Sequence, residues 1–155
     1  MYNLIKNLNT AAGVSGRENG IANKILTYIA PLTDKVWQDP MGNLIAVKKG
    51  KSEGAKKIML CAHMDEIGFM VTHIDERGFI KIAPIGGINF ISACFTYVIS
   101  ENGVRGVLVP VSGTAPADIK ADKVYIDIGA KDKKDAEKKV KILTESLNMG
   151  ICARL

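Results

Sequence analysis

The chain has 155 residues, 47% of them hydrophobic and 24% charged, with a formal net charge of +5. That is long and apolar enough to bury a sizeable core in one domain or two small ones, which excludes a disordered chain. No apolar run approaches the ~20 residues that a membrane-spanning helix needs, and Met1 to Lys6 leads into an amphipathic pattern and not a signal peptide. A cytoplasmic location is the default expectation. The lysines behind the positive charge are dispersed, with few arginines and no interleaved aromatic residues, which favours solubility over a nucleic-acid surface. Cys61, Cys94 and Cys152 are an odd set without close pairing, and two lie in apolar strand-like runs. Reduced, buried thiols are therefore expected in place of disulfides or a zinc site.

In chain order, Leu4, Ile5 and Leu8 predict a short amphipathic helix ended by the turn from Gly13 to Gly16. Ser15 followed by Glu18 has capping-box spacing, so Ser15 is expected to cap a second helix carrying Ile21, Ala22, Ile25, Leu26 and Ile29, which Pro31 stops. Val36 to Gln38 and Leu44 to Val47 read as strands joined by the turn Asp39-Pro40-Met41-Gly42-Asn43. The run from Ile58 to Ala62 reads as a buried central strand that ends in His63, Asp65 and Glu66.

Strand ends are where open α/β sheets bind ligands, and His63 followed at i+2 by Asp65 suits a metal ligand with the carboxylate that holds its ring. One histidine cannot hold a metal, and a strand-end histidine bonded to a carboxylate also serves purely structural ends. Glu66 is a candidate general base, although successive strand residues point to opposite faces. His73, the other histidine, falls in a predicted strand and has the simpler reading of a strand or turn residue.

Beyond Gly68 the pattern changes. Phe69 to Ile74, Phe79 to Ile82, Phe95 to Ser100, Val104 to Val109 and Val124 to Ile128 are short β-rich segments separated by turn signals, which suggests a small barrel or sandwich. The boundary is placed near Val71 to His73. The cluster from Lys131 to Lys139 alternates in sign, and Asp135 with Lys139 or Glu137 with Lys141 stands at i,i+4 spacing, the signature of a solvated helix face.

Four motifs, in this order and spacing, resemble the glutamyl-aminopeptidase family of deblocking (tetrahedral) metalloaminopeptidases, some of which carry the name cellulase M-like endoglucanase. They are Gly13-Val14-Ser15-Gly16-Arg17-Glu18, Asp39-Pro40-Met41-Gly42-Asn43-Leu44, Ala62-His63-Met64-Asp65-Glu66-Ile67-Gly68 and Val124-Tyr125-Ile126-Asp127-Ile128-Gly129-Ala130. The resemblance covers residues 4 to 142. It implies an α/β fold: a partial zinc-peptidase lobe over residues 1–71, then an inserted β-barrel dimerisation-type domain over 72–142, with a tail, 143–155, that departs from the family.

The resemblance also implies the chemistry. Family members hold two divalent cations, zinc or cobalt, and remove N-terminal residues from short peptides, with a glutamate as general base. Only the first histidine ligand has a counterpart here, His63, and Asp65 corresponds to the carboxylate that orients and polarises the site. The remaining ligands and the base belong to the half that follows the insert, and the likeness breaks at Leu143, so a truncated and inactive member is expected. The alternative is a non-catalytic self-association module built on the β-rich insert. A glucanase reading fails on chemistry, because Asp65 and Glu66 are adjacent and cannot flank a glycosidic bond.

Overall fold

A computed structural model of the chain describes residues 1–142 and the backbone of residues 150–153. Contacts divide the chain into two units, Met1–Asp65 and Glu66–Leu155. The division falls just ahead of strand β3 (Gly68–Ile74), because that strand pairs only with elements of the second unit.

In the first unit, α1 (Tyr2–Asn9) and α2 (Asn19–Ile29) form where the apolar spacing places them. The start of α2 differs from the expected capping box. Its N-cap is Glu18 without a side-chain cap bond, while the Glu18 carboxylate accepts the Gly16 N–H at 2.7 Å and the Ser15 hydroxyl is engaged elsewhere. Gly16, at φ +83°, makes the turn that separates Ser15 from the helix. Val14, Ile21 and Ala22 are the buried apolar residues of this unit. Gly13 permits their close approach, since a Cβ there would lie 2.5 Å from Ile21 Cγ2 and 3.4 Å from the Met64 carbonyl.

Pro31 ends α2 in a 3-10 turn over Ala30–Leu32, and an antiparallel hairpin follows, β1 (Lys35–Gln38) with β2 (Leu44–Val47), in the register Trp37 opposite Ile45. Its turn is held by Asp39, whose carboxylate accepts from the Met41 and Asn43 backbone N–H groups, each at 2.9 Å, and from the Asn43 amide at 2.8 Å.

The expected central strand from Ile58 to Ala62 is not formed. No strand of the described residues pairs with it, and Ile58, Met59 and Leu60 are 84%, 85% and 92% exposed. An apolar run becomes a strand only when a neighbour meets its N–H and C=O groups, so pattern alone did not suffice. Cys61 is exposed for the same reason, against the expectation of a buried thiol; Cys94 is half-buried, and burial pushes its thiol pKa up.

In the second unit a curled antiparallel sheet runs β3, β4 (Ile80–Ile85), β7 (Val124–Asp127), β6 (Arg105–Pro110), β5 (Tyr97–Ser100) and β8 (Gly150–Ala153), and closes back on β3. The strands lie where the β-rich segments predict them. Alternate residues point inward, and Phe69, Val71, Ile74, Ile80, Val98, Leu108, Val124 and Ile126 build its core. A bulge between Val71 and His73 shifts the β3–β4 register. The backbone of Gly150–Ala153 closes the ladder between β3 and β5, so four residues of the segment assigned to a tail join the sheet. The rest of that segment, 143–149 and 154–155, lies outside the described residues.

Among the described residues of this unit are two short α-helices, and 3-10 turns over Pro116–Asp118 and Ala121–Lys123. Helix α3 (Phe90–Ala93), which the sequence pattern does not announce, is capped by the Asn89 side chain accepting from the Ile91 and Ser92 N–H groups. Helix α4 (Lys133–Lys139) is capped by Asp132 accepting from Asp135 N–H at 2.8 Å, and the expected i,i+4 pair forms between Lys139 Nζ and Asp135 at 2.9 Å. Among the described residues no helix is long and apolar enough to cross a membrane.

The β6–β7 ladder is the tightest test of this core. Leu108→Ala should lower the unfolding free energy by about 2–5 kcal/mol in urea denaturation. Gly106→Ala should also destabilise, by about 1–3 kcal/mol, because the new Cβ would lie 2.6 Å from Ile126 Cγ2 and 2.9 Å from the Asp127 carbonyl.

Candidate functional site

His63 and Asp65 lie at the end of the extended segment that closes the first unit, and they meet. His63 Nδ1 stands 3.0 Å from Asp65 Oδ1 and 3.1 Å from the Asp65 carbonyl. A carboxylate facing Nδ1 favours the proton on that nitrogen, which leaves the Nε2 lone pair for a ligand. The imidazole is 86% exposed and the Asp65 side chain 39% exposed, so this pair faces solvent.

The other Asp65 oxygen, Oδ2, accepts from the Ser15 hydroxyl, fifty positions away in the sequence. The Ser15 hydroxyl first, against desolvation that acts the other way, and then His63 hold the Asp65 carboxyl below its ordinary value of 3.8. Asp65 is therefore an anion at neutral pH with both oxygens engaged. Asp39 is lowered as well, chiefly by the Asn43 amide, which stiffens the neighbouring turn.

Around the pair is an open cavity of about 380 Å³, lined by Glu18 and Ile25 at α2, by Met41 and Asn43 of the β1–β2 turn, and by Ala62, His63 and Asp65. It lies wholly within the first unit, and each wall is set by a local device already described. The capping-box reading of Ser15 and Glu18 missed both residues as parts of this site. The signal was Gly13 and Gly16 around Ser15, which make a loop and not a helix start.

Glu66 and His73, the other two candidates, fall in the second unit, where His73 is an exposed residue of β3. Among the described residues no three His, Cys, Asp or Glu side chains converge as a metal-binding group. The donor set fits one coordination position, His63 Nε2, and does not complete a metal centre.

Because the folded-state pKa of Asp65 is depressed, its stabilising contribution is fully present above the unfolded value and is lost as pH falls through the folded one. The difference in unfolding free energy between wild type and Asp65→Asn should accordingly be level above about pH 5 and narrow below 3.8, as read by urea titrations across that range.

Residues 42–147 match the M42 glutamyl aminopeptidase family. A protein of Acetivibrio thermocellus is 41% identical over 143 residues, covering 92% of this chain and 42% of its own. The lysyl aminopeptidase of Pyrococcus furiosus is 37% identical over 147 residues, covering 88% and 42% respectively. The solved TET1 peptidase of Pyrococcus horikoshii, which can assemble into a tetrahedron or a large octahedral shell, superposes with a TM-score of 0.76 at 28% identity, over 97% of this chain and 46% of that one. The chain thus spans less than half the length of the relatives it matches. With the matched region covering more than half of the chain and containing the His63–Asp65 pair, the chain belongs to the M42 glutamyl aminopeptidase family.

Proposed function

We propose that this chain carries part of a metalloaminopeptidase centre, with His63 as a metal ligand through Nε2 and Asp65 as the carboxylate that orients and polarises it. The observation behind this reading is the Nδ1 to Oδ1 contact of 3.0 Å, which leaves Nε2 of a cavity-lining imidazole free of the carboxylate. In this reading His63 would hold one of two zinc or cobalt ions together with further ligands, and the ions would supply an acidic water for removal of the N-terminal residue of a short peptide. This chain's own contribution is to hold one imidazole in one tautomer, and a cytoplasmic setting suits it.

One imidazole leaves most of a metal's coordination sphere to water, whereas catalytic zinc sites keep about three protein ligands. Alone, the 155-residue chain is therefore inactive in this reading. With zinc or cobalt added, the protein purified free of host peptidases should release no product from leucine anilide above background, and His63→Ala should leave that background unchanged. Release that depends on His63 would overturn the reading and require a second set of ligands.

The alternative, a non-catalytic self-association module, draws on a different observation. Ile58, Met59 and Leu60 in the first unit, and Ile91, Phe95 and Tyr97 in the second, are exposed apolar side chains. Groups of this kind mark interaction surfaces. In this reading residues 1–71 are the partial peptidase lobe, and the β-rich part, residues 72–142, serves as the dimerisation domain. Sedimentation at micromolar concentration should then show species larger than the 16.7 kDa chain. A clean monomer would remove this alternative and leave the partial-centre reading standing.

A further inference from the structure

The Asp65 carboxylate is the hinge of the candidate site, and its two oxygens have different jobs. Oδ1 faces the His63 ring, which is almost wholly in solvent, and Oδ2 faces the Ser15 hydroxyl at a half-buried position. The last torsion of an aspartate side chain is broad and roughly two-fold, so one hydrogen bond to a solvent-exposed partner does not fix the carboxylate plane. A second donor on the opposite oxygen does. Ser15 is itself well anchored: Val14 beside it is 2% exposed, Gly13 lies against Ile21 and the Met64 carbonyl, and the Gly16 N–H is tied to Glu18.

We propose that Ser15 is a positioning residue of the site, whose hydroxyl, donated to Asp65 Oδ2, sets the carboxylate so that Oδ1 holds His63 in the Nδ1–H tautomer with Nε2 open to a ligand. This rests on the reading of His63 and Asp65 given above. Ser15 touches neither ligand nor substrate; it acts through Asp65. The helix-capping role that its sequence spacing suggests is not available to it, because α2 begins at Asn19 with Glu18 as N-cap.

The test reads the ring nitrogens directly. The chain has two histidines, so ¹⁵N-labelled imidazole resonances can be assigned with His63→Ala, and His73 serves as the internal control. At pH about 8, where an ordinary imidazole is neutral, wild type should show His63 mainly as the Nδ1–H tautomer. Ser15→Ala should cut that excess and move the two ring nitrogens towards a solvent-like mixture, keeping only the share that the Asp65 carbonyl, 3.1 Å from Nδ1, supports, with His73 unchanged. Ser15→Thr, which keeps the hydroxyl, should retain the wild-type pattern. Ser15→Cys keeps the size but offers only a weak donor, so it should follow alanine, and it carries the same test if the alanine variant does not fold.

If wild-type His63 is not the Nδ1–H tautomer, the His63–Asp65 reading fails and this proposal with it. If wild type is Nδ1–H and the folded alanine and cysteine variants keep it, only the role of Ser15 is overturned.

Discussion

Leaving a backbone N–H or C=O group unpaired away from water costs on the order of 1–3 kcal/mol, so a strand persists only where another meets it. In the second unit that condition holds all the way round: β3 through β8 form one ladder that returns to its first strand, and no edge remains among the described strands. The inward alternation then follows, with Phe69, Val71, Ile80, Leu108 and Ile126 inside because the register leaves them nowhere else to point. In the first unit the same constraint acts in reverse. Ile58 to Ala62 has the composition of a central strand but no ladder, and its side chains stand in solvent.

That contrast bears on the candidate site. His63 and Asp65 follow directly on the unpaired segment, so their placement does not come from a sheet. It comes instead from the loop between α1 and α2, through Ser15 and the close packing of Gly13 against Ile21 and the Met64 carbonyl. A hydrogen bond as exposed as that between His63 and Asp65 adds little to stability. Its significance is geometric: it decides which imidazole nitrogen is left free of the carboxylate.

The chain belongs to the M42 glutamyl aminopeptidase family and spans less than half the length of the relatives it matches. It matches relatives that are more than twice its length, and the matched part contains the His63–Asp65 pair as well as His73. A centre of several ligands needs side chains from more than one part of a fold, because no short segment can surround an ion. The cavity of about 380 Å³ beside the His63–Asp65 pair is lined by residues of α2 and of the β1–β2 turn.

The sequence by itself determined the local elements: α2 from its apolar period and Pro31, the β1–β2 turn from Asp39 to Asn43, the strands from Gly68 to Asp127 from alternation and turn signals, and α4 from its alternating charges at i,i+4 spacing. It also marked His63 and Asp65 as a pair, since a spacing of two residues puts ring and carboxylate within reach of each other. Tertiary structure alone decided the remainder. Whether Ile58 to Ala62 became a strand depended on a neighbour, and whether Gly150–Ala153 joined a sheet depended on β3 and β5 both being within reach. Whether the Ser15 hydroxyl capped a helix or gripped Asp65 depended on a residue fifty positions away. Local propensities carry no information about such distant partners, and for polar groups the partner is what settles the structure.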